Sequence, residues 1–256
     1  MQENQRTQNS KIAFFLPNIF TALNMACGFV AIMFALKGRT YMACMALFFG
    51  AIFDSVDGRV ARLTGTTSAF GEQFDSMSDL VSFGVAPALV FYMHFLTGFN
   101  RLGMVAAFLF VLCGALRLAR FNANIERVSS DYFQGAPIPM AALALIGLLL
   151  FTLAIPFPHQ LRALPLLYIA FYSVLMISNI PFPSFKNSTL VKTHKKQALA
   201  IIFGFFAITF LYEEFTIMIF INLYTLGSLI YYTKNRKKFR GIFQWKNEPE
   251  EAGDEG

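Results

Sequence analysis

The chain has 256 residues, of which 56% are hydrophobic and only 14% charged, with 31 Phe and a formal net charge of +6. Soluble domains seldom carry that balance, and the apolar residues fall in long blocks, so the fold class is an all-α, polytopic membrane bundle. The basic residues sit between and after those blocks, where they face a membrane surface, not nucleic acid.

Residues 1–10 are polar, with Arg6 and Lys11 near a membrane face. No cleavable signal peptide is expected, because the apolar run that follows is too long for one. Pro17 disfavours a helix carried through from before it, so 11–16 are expected along the interface and the first span over 17–36. Its mouth carries Asn18 and Thr21, which on physics alone read as capping residues. Residues 37–40 form a turn, and the second span covers 41–53, continuing as helix through Arg62 beyond the bilayer. Residues 64–70 read as a polar linker containing Ser68. The third span runs over 74–96 and the fourth over 102–118, ending in Arg117, Arg120 and Asn122. A polar loop reaches Phe133, and Pro137 and Pro139 open a fifth span continuing to 155.

A sixth span covers 164–177, and 179–186 lead into a basic loop with Lys192, Lys195 and Lys196. Spans over 198–212 and 215–232 form a hairpin around Glu213 and Glu214, giving about eight transmembrane helices. A basic stretch at 234–240 precedes an acidic end. Residues 1–240 are therefore expected to form one integral membrane domain, and 241–256 a polar cytoplasmic tail. Cys27, Cys44 and Cys113 lie inside apolar segments and read as small buried hydrophobes. His94, His159 and His194 are scattered singly and carry no assigned role.

The densest chemistry lies between the second and third spans. Asp54 and Asp57 are three apart, and Asp75 and Asp79 are four apart, so on helices each pair shares a face. Either pair alone reads as a solvated helix end. Four carboxylates gathered beside a membrane repel one another and lose hydration unless something positive lies between them. One or two Mg²⁺ or Mn²⁺ ions meet that need, since carboxylate oxygens suit hard cations. Gly58 and Gly71 leave room for a ligand to approach the backbone. A pair of such ions steadies the attacking and leaving oxygens of a phosphoryl displacement. Arg62, Arg117 and Arg120 suit phosphate or carboxylate oxygens, with snorkelling to the headgroups an equal alternative for each. Ser68 suits a phosphate or a helix cap.

The run Asp54, Asp57, Gly58, Ala61, Arg62, Gly71, Asp75 and Asp79 resembles the signature of the CDP-alcohol phosphatidyltransferases, with matching spacing at every position. That resemblance implies a CDP-linked lipid donor, an alcohol acceptor and release of CMP. It implies Asp54, Asp57 and Asp75 as metal ligands, and Asp79 as both ligand and general base. It implies that Gly58, Arg62 and Ser68 contact the CDP moiety, together with Pro17, Asn18, Ile19, Phe20 and Thr21. Family members are commonly homodimers.

Three later segments, 117–122, 133–139 and 178–186, resemble the phosphatidylserine synthase branch of that family. The implied donor is CDP-diacylglycerol and the implied acceptor L-serine, with Arg117, Arg120 and Asn122 as serine-binding residues. Ala136 departs from the branch, where members often have Leu.

Eight spans put both termini on one side, together with Arg6, Lys11, Arg59, Arg62, Arg117, Arg120 and Arg127. The other side keeps Lys37, Arg39, Arg101 and Arg162. This asymmetry places the termini and the acidic motif at the cytoplasmic face of the cell membrane. A divalent-cation transporter is the rival from another class, since intramembrane Asp residues suit it equally. It requires acids near mid-bilayer and leaves Gly58, Arg62 and Gly71 without a task.

Overall fold

The computed structural model describes residues 2–65, 68–123, 132–155, 158–183, 208–209 and 211–235. Its helices are α1 (Gln2–Leu36), α2 (Thr40–Thr64), α3 (Ala69–Asp79), α4 (Ala86–Phe91), α5 (Asn100–Ala123), α6 (Ile138–Ala154), α7 (Leu164–Ile177) and α8 (Glu213–Lys234). Four stretches are long and apolar enough to cross a membrane: Pro17–Leu36, Thr40–Val60, Ala69–Ala123 and Glu213–Lys234. α6 and α7 are shorter apolar helices. Large apolar side chains also face outward, with Phe29 60%, Leu102 67%, Val174 70% and Leu223 63% exposed, an exterior suited to lipid and not to water. The protein is an integral membrane protein.

The 55-residue stretch Ala69–Ala123 is one apolar run but two rods. A 3-10 turn at Thr97–Phe99 and a left-handed Asn100 (φ 50°) break it, and α5 returns alongside α4. The break falls between the expected third and fourth spans. The expected span over 198–212 falls almost wholly outside the described residues. Between α3 and α4 the helix widens into a π turn, Leu80–Val85, ahead of Pro87, which has no N–H to give and crowds the preceding turn.

One expectation fails at the N-terminus. α1 runs unbroken through Pro17, so 11–16 belong to the helix that enters the membrane. A proline removes one hydrogen bond, and long apolar helices tolerate that loss.

The core is built around α6, whose residues from Ile138 to Leu150 are mostly buried. Its neighbours approach through glycine: a Cβ at Gly147 would lie 2.9 Å from Met218 Cα on α8. A polar lock holds the same helix, with Asn222 Nδ2 donating to Tyr168 Oη at 2.9 Å and Tyr172 Oη donating to Asn222 Oδ1 at 3.2 Å. Interhelical hydrogen bonds of this kind contribute on the order of 1 kcal/mol each in a bilayer. α1 packs along α2, and α5 along α7.

One small ribbon departs from the all-α expectation. β1 (Tyr132–Gln134) pairs antiparallel with β2 (Pro181–Pro183), Phe133 opposite Phe182. Strands of three residues, one with two prolines, carry no periodicity to read.

Candidate active site

α2 and α3 bring the acids together. Helical spacing sets Asp54 and Asp57 on one face of α2, and Asp75 and Asp79 on one face of α3. These two faces approach each other. Carboxylate oxygens of Asp54, Asp57 and Asp75 all lie within 4.8 Å of one another. Asp79 joins from the end of α3, within hydrogen-bonding reach of Asp54. Asp57 is buried, and Asp54, Asp75 and Asp79 are partly buried. Oδ1 of Asp75 and Oδ1 of Asp79 are buried with no hydrogen-bond partner among the described residues. Closely set carboxylate oxygens without donors repel each other and are poorly hydrated. A hard divalent cation fits this donor set, with Asp54, Asp57 and Asp75 as the residues that would hold it.

α1 braces the acids from one side. Thr21 Oγ1 donates to Asp57 Oδ2 at 2.9 Å, with the Pro17 carbonyl a second acceptor at 3.2 Å. Ser78 Oγ donates to the Thr21 carbonyl at 2.9 Å, joining α1 to α3 next to Asp79. Pro17 and Thr21 are buried on this inner face, four residues apart. Ile19 lies on the opposite face and is 53% exposed, so its side chain is not brought to the acids. Phe20 packs its ring against Phe53, centroids 6.5 Å apart.

The start of α3 brings together two expected nucleotide contacts, Ser68 and Asn18. Ser68 is its N-cap, accepting from the Gly71 N–H at 3.1 Å, and its own hydroxyl hydrogen is left to serve elsewhere. A Cβ on Gly71 would stand 3.2 Å from Ser68 Oγ and 3.5 Å from Asn18 Oδ1, so glycine keeps this corner open. Gly58 is partly buried next to Asp57. Arg62 belongs to the last turns of α2, and its side chain lies outside the described residues.

The expected acceptor residues divide into two kinds. Arg117 is buried on α5, lies close enough to Asp79 for their charges to attract, and has an Nε without a partner among the described residues. Its guanidinium stands 5.8 Å from the centroid of the Phe121 ring. Arg120 is spent differently. Its Nη1 donates to the Ile177 carbonyl at 2.8 Å, and its Nη2 to the carbonyls of Gln134 at 2.9 Å and Met176 at 3.2 Å. A cation among the last carbonyls of α7 also meets the negative end of the helix dipole. Asn122 Nδ2 donates to Ser76 Oγ at 2.9 Å, tying α5 to the residue after Asp75.

Arg120 thereby joins two distant segments. Gly135, at φ 74°, donates its N–H to the Ile180 carbonyl at 2.9 Å, and Gln134 Nε2 donates to Asn179 Oδ1 at 2.8 Å. The segments that follow α5 and α7 meet here as one ribbon beside α5. Sequence reasoning missed Ser76 and Ser78, which brace this centre. The signal was present for Ser78, which follows Asp75 at helical spacing.

Comparison with known proteins bears on the same residues. The family described as CDP-alcohol phosphatidyltransferase matches residues 14–182, which include the four acids and β1. A CDP-diacylglycerol–serine O-phosphatidyltransferase of Helicobacter pylori is 38% identical over 218 residues, 85% of this chain and 90% of that protein. A protein of the same name from Methanocaldococcus jannaschii is 40% identical over 172 residues, 67% of this chain and 75% of that protein. An archaetidylserine synthase of Methanothermobacter thermautotrophicus is 37% identical over 179 residues, 68% of this chain and 73% of that protein.

Proposed function

The chain belongs to the CDP-alcohol phosphatidyltransferase family, and from that premise we propose that it transfers the phosphatidyl group of CDP-diacylglycerol to L-serine, giving phosphatidylserine and CMP. The observation that carries this reading is the convergence of four carboxylates with a buried arginine beside Asp79. The names of the relatives support the choice of acceptor.

Two divalent ions, Mg²⁺ or Mn²⁺, held by Asp54, Asp57, Asp75 and Asp79, would screen the donor's phosphates and polarise the phosphorus toward attack. Asp79 serves as the base. It takes the proton of the serine hydroxyl as that oxygen forms its bond to phosphorus, and the bond from phosphorus to the CMP oxygen breaks. Arg117 grips the serine carboxylate and so aims the hydroxyl, an orientation effect that reaches about 7 kcal/mol in favourable cases. Arg120 and Asn122 serve serine from further back, by holding the ribbon and the α5–α3 corner that wall the acceptor site. Gly58, Arg62, Ser68 and Gly71, with Asn18 and the mouth of α1, receive the cytidine diphosphate. The donor's chains remain in lipid beside the bundle.

We also infer about eight spans, a single domain over 1–240, and a cytoplasmic tail over 241–256. Both termini and the active site face the cytoplasm, as the distribution of basic residues implies. The enzyme acts as a homodimer in the cell membrane. A cation transporter is disfavoured, because Ser68, Gly71 and Asn18 form a cradle at the acids that transport does not need.

Incorporation of labelled serine into chloroform-soluble lipid tests the proposal. Label should enter lipid only when CDP-diacylglycerol and Mn²⁺ or Mg²⁺ are both supplied. Incorporation without the donor would contradict it.

A further inference from the structure

Asn24 has no role in the site as described so far, yet its position is unusual. It is 0% exposed, and neither Nδ2 nor Oδ1 of its carboxamide finds a hydrogen-bond partner among the described residues. Burying an amide without partners is unfavourable, and a bilayer interior offers no bulk water to relieve it. A leucine would fill similar space without that penalty.

The surroundings point to the acids. Asn24 lies one turn beyond Thr21, the residue that donates to Asp57. On α2 it lies against Gly50, one turn before Asp54: a Cβ there would stand 3.1 Å from Asn24 Oδ1. Helical side chains lean toward the N-terminus of their helix, so the Asp54 carboxylate leans over the turn that holds Gly50. On the third side Ser82, one turn after Asp79, donates to the Asn24 carbonyl at 2.8 Å. Asn24 thus meets the turns of α2 and of the α3–α4 helix that adjoin Asp54 and Asp79, and Asp79 Oδ1 is itself a buried atom without a partner among the described residues.

We propose that Asn24 is a positioning residue of the metal centre, its carboxamide supporting the Asp54 and Asp79 carboxylates from below once a divalent cation draws them into place. The inference rests on the metal-centre reading above. It accounts for a buried amide with no partner among the described residues, and for the lack of a side chain at Gly50. Residues that orient metal ligands in this way typically change affinity about 10- to 100-fold when removed.

The test uses the full-length protein in detergent, with Mn²⁺ as the probe and two readings, metal-free thermal midpoint and Mn²⁺ dissociation constant. Asn24→Leu should keep or raise the metal-free midpoint, since two unpaired polar atoms are removed, while weakening Mn²⁺ binding about 10-fold or more. Asn24→Ala carries the same test if leucine does not fit beside Gly50. Unchanged Mn²⁺ affinity, or a loss that only tracks a falling metal-free midpoint in both variants, would overturn the proposal. Failure of the wild-type protein to bind Mn²⁺ would instead overturn the metal-centre reading on which it rests.

Discussion

The hydroxyl of Thr21 on α1 donates to Oδ2 of Asp57 on α2 at 2.9 Å, across 36 residues of sequence. That bond fixes which way one oxygen of a candidate metal ligand faces. Thr21→Val keeps the shape and removes the donor, so Mn²⁺ affinity should fall about tenfold while Thr21→Ser stays near wild type. Calorimetric titration of Mn²⁺ into the three proteins separates these outcomes.

The acids are set against one another without the cation. Replacing Asp75 by Asn keeps the volume and removes one negative charge from a cluster whose oxygens lie within 4.8 Å. The metal-free thermal midpoint of Asp75→Asn should therefore rise. Its stabilisation by Mn²⁺ should disappear, where a binding-competent protein gains about 2.7 kcal/mol at a hundredfold excess over the dissociation constant. Thermal melts with and without Mn²⁺ read both effects.

Asp79 is assigned the proton, so its loss should separate binding from chemistry. Asp79→Asn should retain CDP-diacylglycerol, while CMP release falls by about 10²-fold or more. Donor binding is followed by displacement of a fluorescent lipid analogue. A folded Asp79→Asn protein with ordinary turnover would remove Asp79 from the role of base.

The two arginines of α5 should behave differently. Arg117→Lys keeps the charge and loses the planar fork, so KM for serine should rise about tenfold with little change for CDP-diacylglycerol. Arg120 binds carbonyls, and hydrogen bonds to a charged group contribute about 1.5–3 kcal/mol each. Arg120→Ala should therefore loosen the ribbon, seen as faster amide exchange at Gly135, whose N–H bonds the Ile180 carbonyl at 2.9 Å. Equal exchange at Gly135 in both proteins would remove the clamp.

Much of this centre was readable before any coordinates. The paired spacing of Asp54 with Asp57 and Asp75 with Asp79 depends only on helical geometry, and the fold satisfies it. The apolar blocks likewise mark most of the helices, because a bilayer leaves an isolated segment little choice but helix. What could not be read depends on which distant atoms meet. Arg120 looked like a ligand for serine because guanidinium suits a carboxylate, yet backbone carbonyls of α7 and β1 offer it the same chemistry. Nothing local to Arg120 tells the two apart. Asn24 was passed over because a single amide in an apolar run carries no pattern, and its meaning comes from Gly50 and Ser82 on other helices. Pro17 misled because its local cost was weighed without the length of the helix that absorbs it.

The most direct test is CMP release by the purified protein given CDP-diacylglycerol and Mn²⁺, with serine, glycerol 3-phosphate or inositol phosphate supplied in parallel. The account predicts release with serine alone, abolished by a chelator and restored by added Mn²⁺. Release with either phosphate-bearing acceptor in place of serine, or release that persists in the chelator, would contradict it.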